Sequence, residues 1–299
     1  MASRRGRRRE PAAAPVPRPR RPPERRGGGG RRPERSDTGA RLLAAIPAIA
    51  YAVFIVYEGG LVFALGIALL GIIAMGELFT MMARVRPASL AGFIALLGMT
   101  AAALYGNQYQ LVLAVAASVP VTFLLTLARP RREHLAWAMA VVFMGIVWIA
   151  LPIAHAVLLR ELPHGGALML DVLIGTFLND TCAYFAGRAW GTRPIAPQIS
   201  PKKTLEGLLG GIVGGTFFFW LFAISYQHDW FKGPDALLIG FCIALVAPLG
   251  DLFESAVKRD LEVKDSGRFF GAHGGVLDRL DGVLFTVVVA YYVSRAVMG

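Results

Sequence analysis

Charge is scarce in this sequence: 17% of its 299 residues are Asp, Glu, Lys or Arg, against about 25% in soluble globular domains. With 55% hydrophobic residues and a mean hydropathy of +0.54, that scarcity excludes an ordinary water-soluble enzyme. Cysteine is nearly absent. Cys182 and Cys242 are too few for a disulfide framework, and their apolar sequence context makes them small hydrophobes rather than ligands or redox groups. Lysine is missing from residues 1–41, which hold 14 Arg and four acidic residues, a net of +10. Residues 1–36 also lack large apolar side chains, so they cannot bury enough surface to offset their ordering entropy and read as disordered. The segment lacks the apolar stretch that a signal peptide places directly after its charges. Nucleic acid or anionic lipid could attract such a tail, but an orientation signal accounts for it more simply.

What the sequence does have is long apolar runs. A hydrocarbon core about 30 Å thick needs roughly 20 helical residues, and nine candidate spans follow the tail: 42–57, 61–76, 88–105, 109–128, 134–157, 167–187, 206–226, 235–257 and 282–298. The expected fold is therefore all-α, a polytopic integral membrane protein with about nine transmembrane helices. The expected organisation is a cytoplasmic tail (1–41), an N-terminal transmembrane region (42–160) and a C-terminal catalytic transmembrane region (161–299).

Charge placement tests the count. With the tail cytoplasmic, the loops on its side collect Arg84, Arg86, Arg129, Arg131, Arg132, Arg188, Arg193, Lys202, Lys203, Lys258, Arg259, Lys264, Arg268 and Arg279, whereas the other side receives Arg160, Lys232 and Arg295. Fourteen against three is what the positive-inside rule expects, and a miscount of one span in the middle would scramble it.

Polar residues out of place concentrate in the second half. In the first, Glu77 ends a span, as an interfacial residue or as the partner of a basic group, and Pro47, Pro120 and Pro152 mark kinks or helix ends. In the second, Asp180 within Asn179-Asp180-Thr181 is a costly carboxylate at membrane depth and so a site candidate, while Asp171 reads as interfacial. Ser200-Pro201-Lys202-Lys203-Thr204 precedes a glycine-rich apolar helix; Ser then Pro reads as a helix start whose free amides and lysines suit a phosphate, or simply as a capped basic loop. Asp251, Ser255 and Lys258 stand at i, i+4 and i+7, one helix face. His273-Gly274-Gly275 is a turn able to bring amides to an anion, and Asp278 and Asp281 share the face opening the last span. Carboxylates with lysines, without a Cys or His cluster, fit a hard cation such as Mg²⁺ holding phosphates, not zinc.

Together these residues resemble the phosphatidate cytidylyltransferase (CDP-diacylglycerol synthase) family. Its signature, Ser-x-apolar-Lys-Arg, then Lys-Asp, then His-Gly-Gly-apolar-x-Asp-Arg-apolar-Asp, is met by Ser255, Val257, Lys258, Arg259, Lys264, Asp265, His273, Gly274, Gly275, Val276, Asp278, Arg279, Leu280 and Asp281. The Asn179 to Thr181 and Ser200 to Gly207 segments are similar to upstream motifs. Gly271, where a Pro is usual, and Cys182, where a Gly is usual, are departures that keep a small residue. The resemblance covers about residues 40–299.

It implies transfer of a cytidylyl group from CTP to phosphatidate, supplying phospholipid synthesis; separately, the charge placement puts the site on the cytoplasmic side of a plasma membrane, and the Arg/Ala/Gly/Pro bias is compatible with a GC-rich bacterial source. The resemblance further implies a divalent metal, Mg²⁺, on Asp251 and Asp278, and phosphate contacts from Ser255 and Lys258. Lys202, Lys203, Lys264 and Arg279 would neutralise phosphates. His273 would orient a phosphate, act as an acid or stabilise its turn, and Asp180, Asp265 and Asp281 would contact metal or nucleotide. The implied partners are CTP, phosphatidic acid and the lipid bilayer; a homo-oligomer and a tail touching anionic lipid are compatible with it. A transporter or channel and a CTP-dependent lipid kinase remain as rivals. A CDP-alcohol phosphotransferase is set aside, because no Asp follows Gly282.

Overall fold

The computed structural model describes residues 38–130, 134–227, 229–267, 269 and 274–298, with side chains from Ile46 onward. The Arg-rich tail, Arg131, Arg132, Arg268, Gly271 and His273 lie outside the described residues. Residues Ala40–Gly299 form one compact unit.

Its elements are α1 (Thr38–Glu58), α2 (Gly60–Met81), α3 (Ser89–Tyr105), α4 (Gln108–Leu127), α5 (Leu135–Gly145), α6 (Leu151–Arg160), α7 (Gly165–Trp190), β1 (Pro194–Ala196), β2 (Ser200–Thr204), α8 (Leu205–Gln227), α9 (Gly233–Asp260) and α10 (Leu277–Met298). α5 and α6 form one rod through a π-helical stretch, Ile146–Ala150. The π turn stands directly before Pro152, whose ring would otherwise collide with the carbonyl four residues back.

Every expected span falls on one of these rods. Seven of them, Leu135–Arg160 taken as one, are long and apolar enough to cross a membrane, whereas Ser89–Tyr105 and the stretch Ile46–Glu58 are shorter. The chain is an all-α polytopic membrane protein. Leu65, Val112, Val147, Val213 and Leu249 point outward, as befits helices that are apolar all round and face lipid.

Between helices the packing relies on small residues, which let backbones approach where apolar solvent gives little drive to associate. α7 and α8 are the most extensively packed pair. Gly211 and Gly215 of α8 lie so close to Asn179 that an added Cβ would sit 3.1 Å from its Oδ1. Thr176 Oγ1 and Thr286 Oγ1, 3.0 Å apart, tie α7 to α10. α9 crosses α10 at Gly250, where a Cβ would run into the Asp281 carbonyl. That crossing brings the motif ends of both helices together.

Polar ties fix the ends of the bundle. The turn between α1 and α2 has Gly59 at φ +68°, and Arg160 Nε donates to the Val56 carbonyl at 2.8 Å beside it. Asn107 and Gln110 form a capping box at the start of α4. The Arg129 guanidinium donates to the carbonyls of Arg86 and Pro87, holding the α2–α3 loop to the end of α4.

One expectation changes here. Ser200 does not start a helix: Ser200–Thr204 is a strand, antiparallel to Pro194–Ala196, with Ala196 opposite Ser200 and Pro194 opposite Thr204. The helix cap is instead Thr204, whose Oγ1 accepts the Gly207 amide at 3.2 Å. Glu206 accepts the amides of Thr192 and Arg193, closing the hairpin base. Asp171 has a partner that no short spacing announces. It is buried, and Gln227 Nε2 of α8 donates to its Oδ2 at 2.7 Å.

Candidate active site

The hairpin and the motif ends of α7, α9 and α10 surround a cavity of about 630 Å³. α7 supplies Asp180, Tyr184 and Arg188; the β2 strand supplies Lys202 and Lys203; α9 supplies Asp251, Glu254 and Lys258; α10 supplies Asp278 and Asp281. Five carboxylates and four basic side chains therefore meet in one hollow. Such a mixture can bind a polyanion and a cation together, because each carboxylate that turns to a cation frees an ammonium for a phosphate.

Two ion-pair groups organise the hollow. Lys203 Nζ is 2.6 Å from Asp251 Oδ2, and Ser255 Oγ donates to Asp251 Oδ1 at 3.3 Å. The i, i+4 pairing of Asp251 and Ser255 is thus realised on α9. Lys258 sits between two carboxylates, 3.0 Å from Glu254 Oε2 and 2.8 Å from Asp278 Oδ1. Asp180 and Asp281 form no direct ion pair among the described residues; both interact through space with Asp251, Asp180 also with Lys203 and Asp281 also with Lys258.

Asp278 also organises the loop before it. Its oxygens accept the amides of Ser266 (3.0 Å) and Gly275 (2.7 Å) as well as the Lys258 ammonium. Of the glycine turn, the Gly275 amide is taken in this state by the protein's own Asp278 carboxylate. Gly274 takes φ +85°, a left-handed conformation suited to glycine.

Of the other expected site residues, Ser255 and Lys264 line an adjoining cavity of about 550 Å³ that shares Ser200 and Lys258 with the first. Asp265 and Arg279 are exposed and line neither. His273 lies outside the described residues.

Three site residues were not singled out from the sequence. Glu254, 1% exposed, has Oε2 on Lys258 and a buried Oε1 with no partner. Its signal was there: it stands four residues before Lys258. Arg188 and Tyr184, hydrogen-bonded to each other at 3.0 Å, join the wall from α7 and carry no motif signal. Glu77, on α2, accepts from Ser266 Oγ (3.2 Å), Val276 N (3.1 Å) and Leu277 N (2.9 Å). The partner of this carboxylate is the motif loop, and it makes no ion pair with a basic group among the described residues.

The donor set around the cavity is oxygen-only, and its carboxylates interact with one another, which suits a hard divalent cation. Among the described residues no three ligating side chains already converge on one point. The residues fit such an ion by chemistry, with Lys203 and Lys258 presently at three of the carboxylates, Asp251, Glu254 and Asp278.

Fold and site together define a class: a polytopic helical membrane protein with a charged, phosphate-suited cavity at its helix ends. The chain belongs to the cytidylyltransferase family, which it matches over residues 39–297. It is 31% identical over 264 residues to the phosphatidate cytidylyltransferase of Bacillus subtilis, covering 86% of this chain and 97% of that protein. It is 38% identical to the phosphatidate cytidylyltransferase of Mycobacterium leprae over 164 residues, 54% of this chain and 51% of that one. With that of Thermotoga maritima it shares 38% over 139 residues, 45% and 52% of the two chains. The chain spans about half the length of these last two relatives.

Proposed function

We propose that this protein transfers the cytidylyl group of CTP to phosphatidate, forming CDP-diacylglycerol and pyrophosphate. The observation that carries the reading is the cavity in which five carboxylates meet Lys202, Lys203, Lys258 and Arg188, together with the family and the names of its relatives. A phosphate oxygen of phosphatidate attacks the α-phosphorus of CTP. The new P–O bond forms as the α–β P–O bond breaks, and the electron pair departs on pyrophosphate.

The nucleophile is already anionic near neutral pH, so the site needs no strong base. Its task is to hold two polyanions together and to stabilise charge on the leaving group, by positioning and by fixed positive charge. Lys203 and Lys258, each on a carboxylate in this state, turn to phosphates as substrates enter, with Ser255 beside them on α9. Lys202 and Arg188 widen the positive wall, and Lys264 extends it into the adjoining hollow.

A divalent cation, Mg²⁺ in this reading, would be held by Asp251 and Asp278, with Asp281 and Asp180 alongside. When bound it neutralises phosphate oxygens. Asp278 Oδ1 accepts from Lys258 in this state, and a bound phosphate would offer that ammonium a second partner.

The basic loops and the tail lie on the cytoplasmic side of the plasma membrane in this reading, the tail against anionic lipid. CTP then arrives from the cytoplasm while phosphatidate keeps its acyl chains in the bilayer.

Membranes containing the chain, supplied with labelled CTP, phosphatidic acid and Mg²⁺, should form CDP-diacylglycerol and pyrophosphate. Asp251→Asn or Asp278→Asn should abolish formation. Release of CDP with a newly phosphorylated lipid would instead identify a lipid kinase, and solute flux without CTP a transporter.

A further inference from the structure

We propose that Glu77 is a positioning residue for this site, through which the N-terminal half of the chain sets the geometry of the motif loop. The proposal rests on the cytidylyl-transfer reading for its activity assay and on geometry for everything else.

Glu77 stands in the last turn but one of α2 and makes no ion pair among the described residues. Its carboxylate takes three donors from one segment some 190–200 residues away: the Ser266 hydroxyl and the amides of Val276 and Leu277. Val276 and Leu277 open α10, where the first amides have no partner within the helix and the aligned peptide dipoles favour negative charge. Glu77 supplies that charge from another helix.

Two carboxylates divide the donors of this loop. Glu77 holds the Ser266 hydroxyl and the α10 amides; Asp278 holds the amides of Ser266 and Gly275. Ser266 is the joint between them. With its amide donors fixed in this way, Asp278 turns Oδ1 toward Lys258 and the cavity. Glu77 itself does not line the cavity, so it acts through Asp278 and the loop rather than on substrate.

Glycine placement supports the same reading. A Cβ at Gly267 or at Gly275 would overlap the Glu77 carboxylate. Both glycines are needed at these points because that carboxylate lies against them.

The test is steady-state kinetics of the full chain in detergent, normalised to folded protein by size exclusion. Glu77→Ala should lower kcat by about 10- to 100-fold, the scale of a displaced catalytic group, while KM for CTP and for phosphatidate changes little. Glu77→Asp, which keeps the charge with a shorter reach, should recover part of the rate. Ser266→Ala, which removes one of the three donors, should give a smaller loss of the same kind. A wild-type kcat per folded Glu77→Ala molecule overturns the proposal. So does a loss explained entirely by unfolded protein. Amide hydrogen exchange separates this from the functional reading: Glu77→Ala should speed exchange at Val276 and Leu277 whether or not the chain makes CDP-diacylglycerol. Unchanged exchange there would sink the positioning role even in an active enzyme, whereas an inactive wild type sinks only the reaction assignment.

Discussion

Lys258 Nζ lies 2.8 Å from Asp278 Oδ1 and 3.0 Å from Glu254 Oε2, so a single ammonium joins α9 to α10 and is shared by a buried and a partly buried carboxylate. Lys258→Met leaves both carboxylates without a cation and should lower stability by about 3 kcal/mol, as expected when one partner of a buried ion pair is removed. Turnover should fall by about 10²–10³, the cost of losing one fixed donor to developing charge. Adding Glu254→Gln should recover much of the thermal stability in detergent and none of the turnover. Recovered turnover in the double variant would reduce Lys258 to a neutraliser of Glu254.

Gly275 offers a steric test. A Cβ there would overlap Glu77 Oε2 and Ser266 Oγ, whereas one at Gly98 in α3 meets nothing within 4 Å. Gly275→Ala should therefore cost about 1–3 kcal/mol, the range for overpacking a filled site, and lower turnover. Gly98→Ala should be neutral or stabilising by up to about 1 kcal/mol from helix propensity. Equal melting temperatures for the two variants would contradict this packing.

Asp171 and Gln227 are coupled away from the cavity, at 2.7 Å between α7 and α8. Gln227→Leu strands a buried carboxyl and should cost about 1–3 kcal/mol. Replacing both residues by Leu should restore most of that stability, since no polar group is then left unpaired. Turnover per folded molecule should stay at the wild-type level throughout. A double variant no more stable than the single one would mean that the pair is not the relevant interaction.

The proposed cation is tested by chelation. EDTA should stop CDP-diacylglycerol formation and added Mg²⁺ should restore it. A full rate in EDTA would remove the metal from the reading.

Much of this was legible in the sequence because lipid imposes a simple rule: about 20 apolar residues, then charge. The spans therefore fall on the helices, though α10 begins at Leu277, five residues earlier than hydropathy alone places it. Its first two turns carry Asp278, Arg279 and Asp281, whose charge lowers the hydropathy of that stretch. The Ser200 segment misled for a local reason. A Ser-Pro pair is compatible with a helix start and with a strand edge, and only the facing Pro194–Ala196 segment decides between them.

By itself the sequence determined the membrane class, the positions of the long apolar runs and most of the charged residues that meet in the cavity. Those features depend on composition and short spacing, which a linear chain displays openly. Tertiary structure alone decided that Lys203 pairs with Asp251, that Glu254 shares Lys258 with Asp278, and that Glu77 reaches across the fold to the loop before α10. Each of these contacts joins residues through the crossing of rods at close-packed glycines or the folding back of a hairpin, except the i, i+4 pair of Glu254 and Lys258. Which helix faces which is set by side-chain volume summed over the whole bundle, a property that no local stretch of sequence carries.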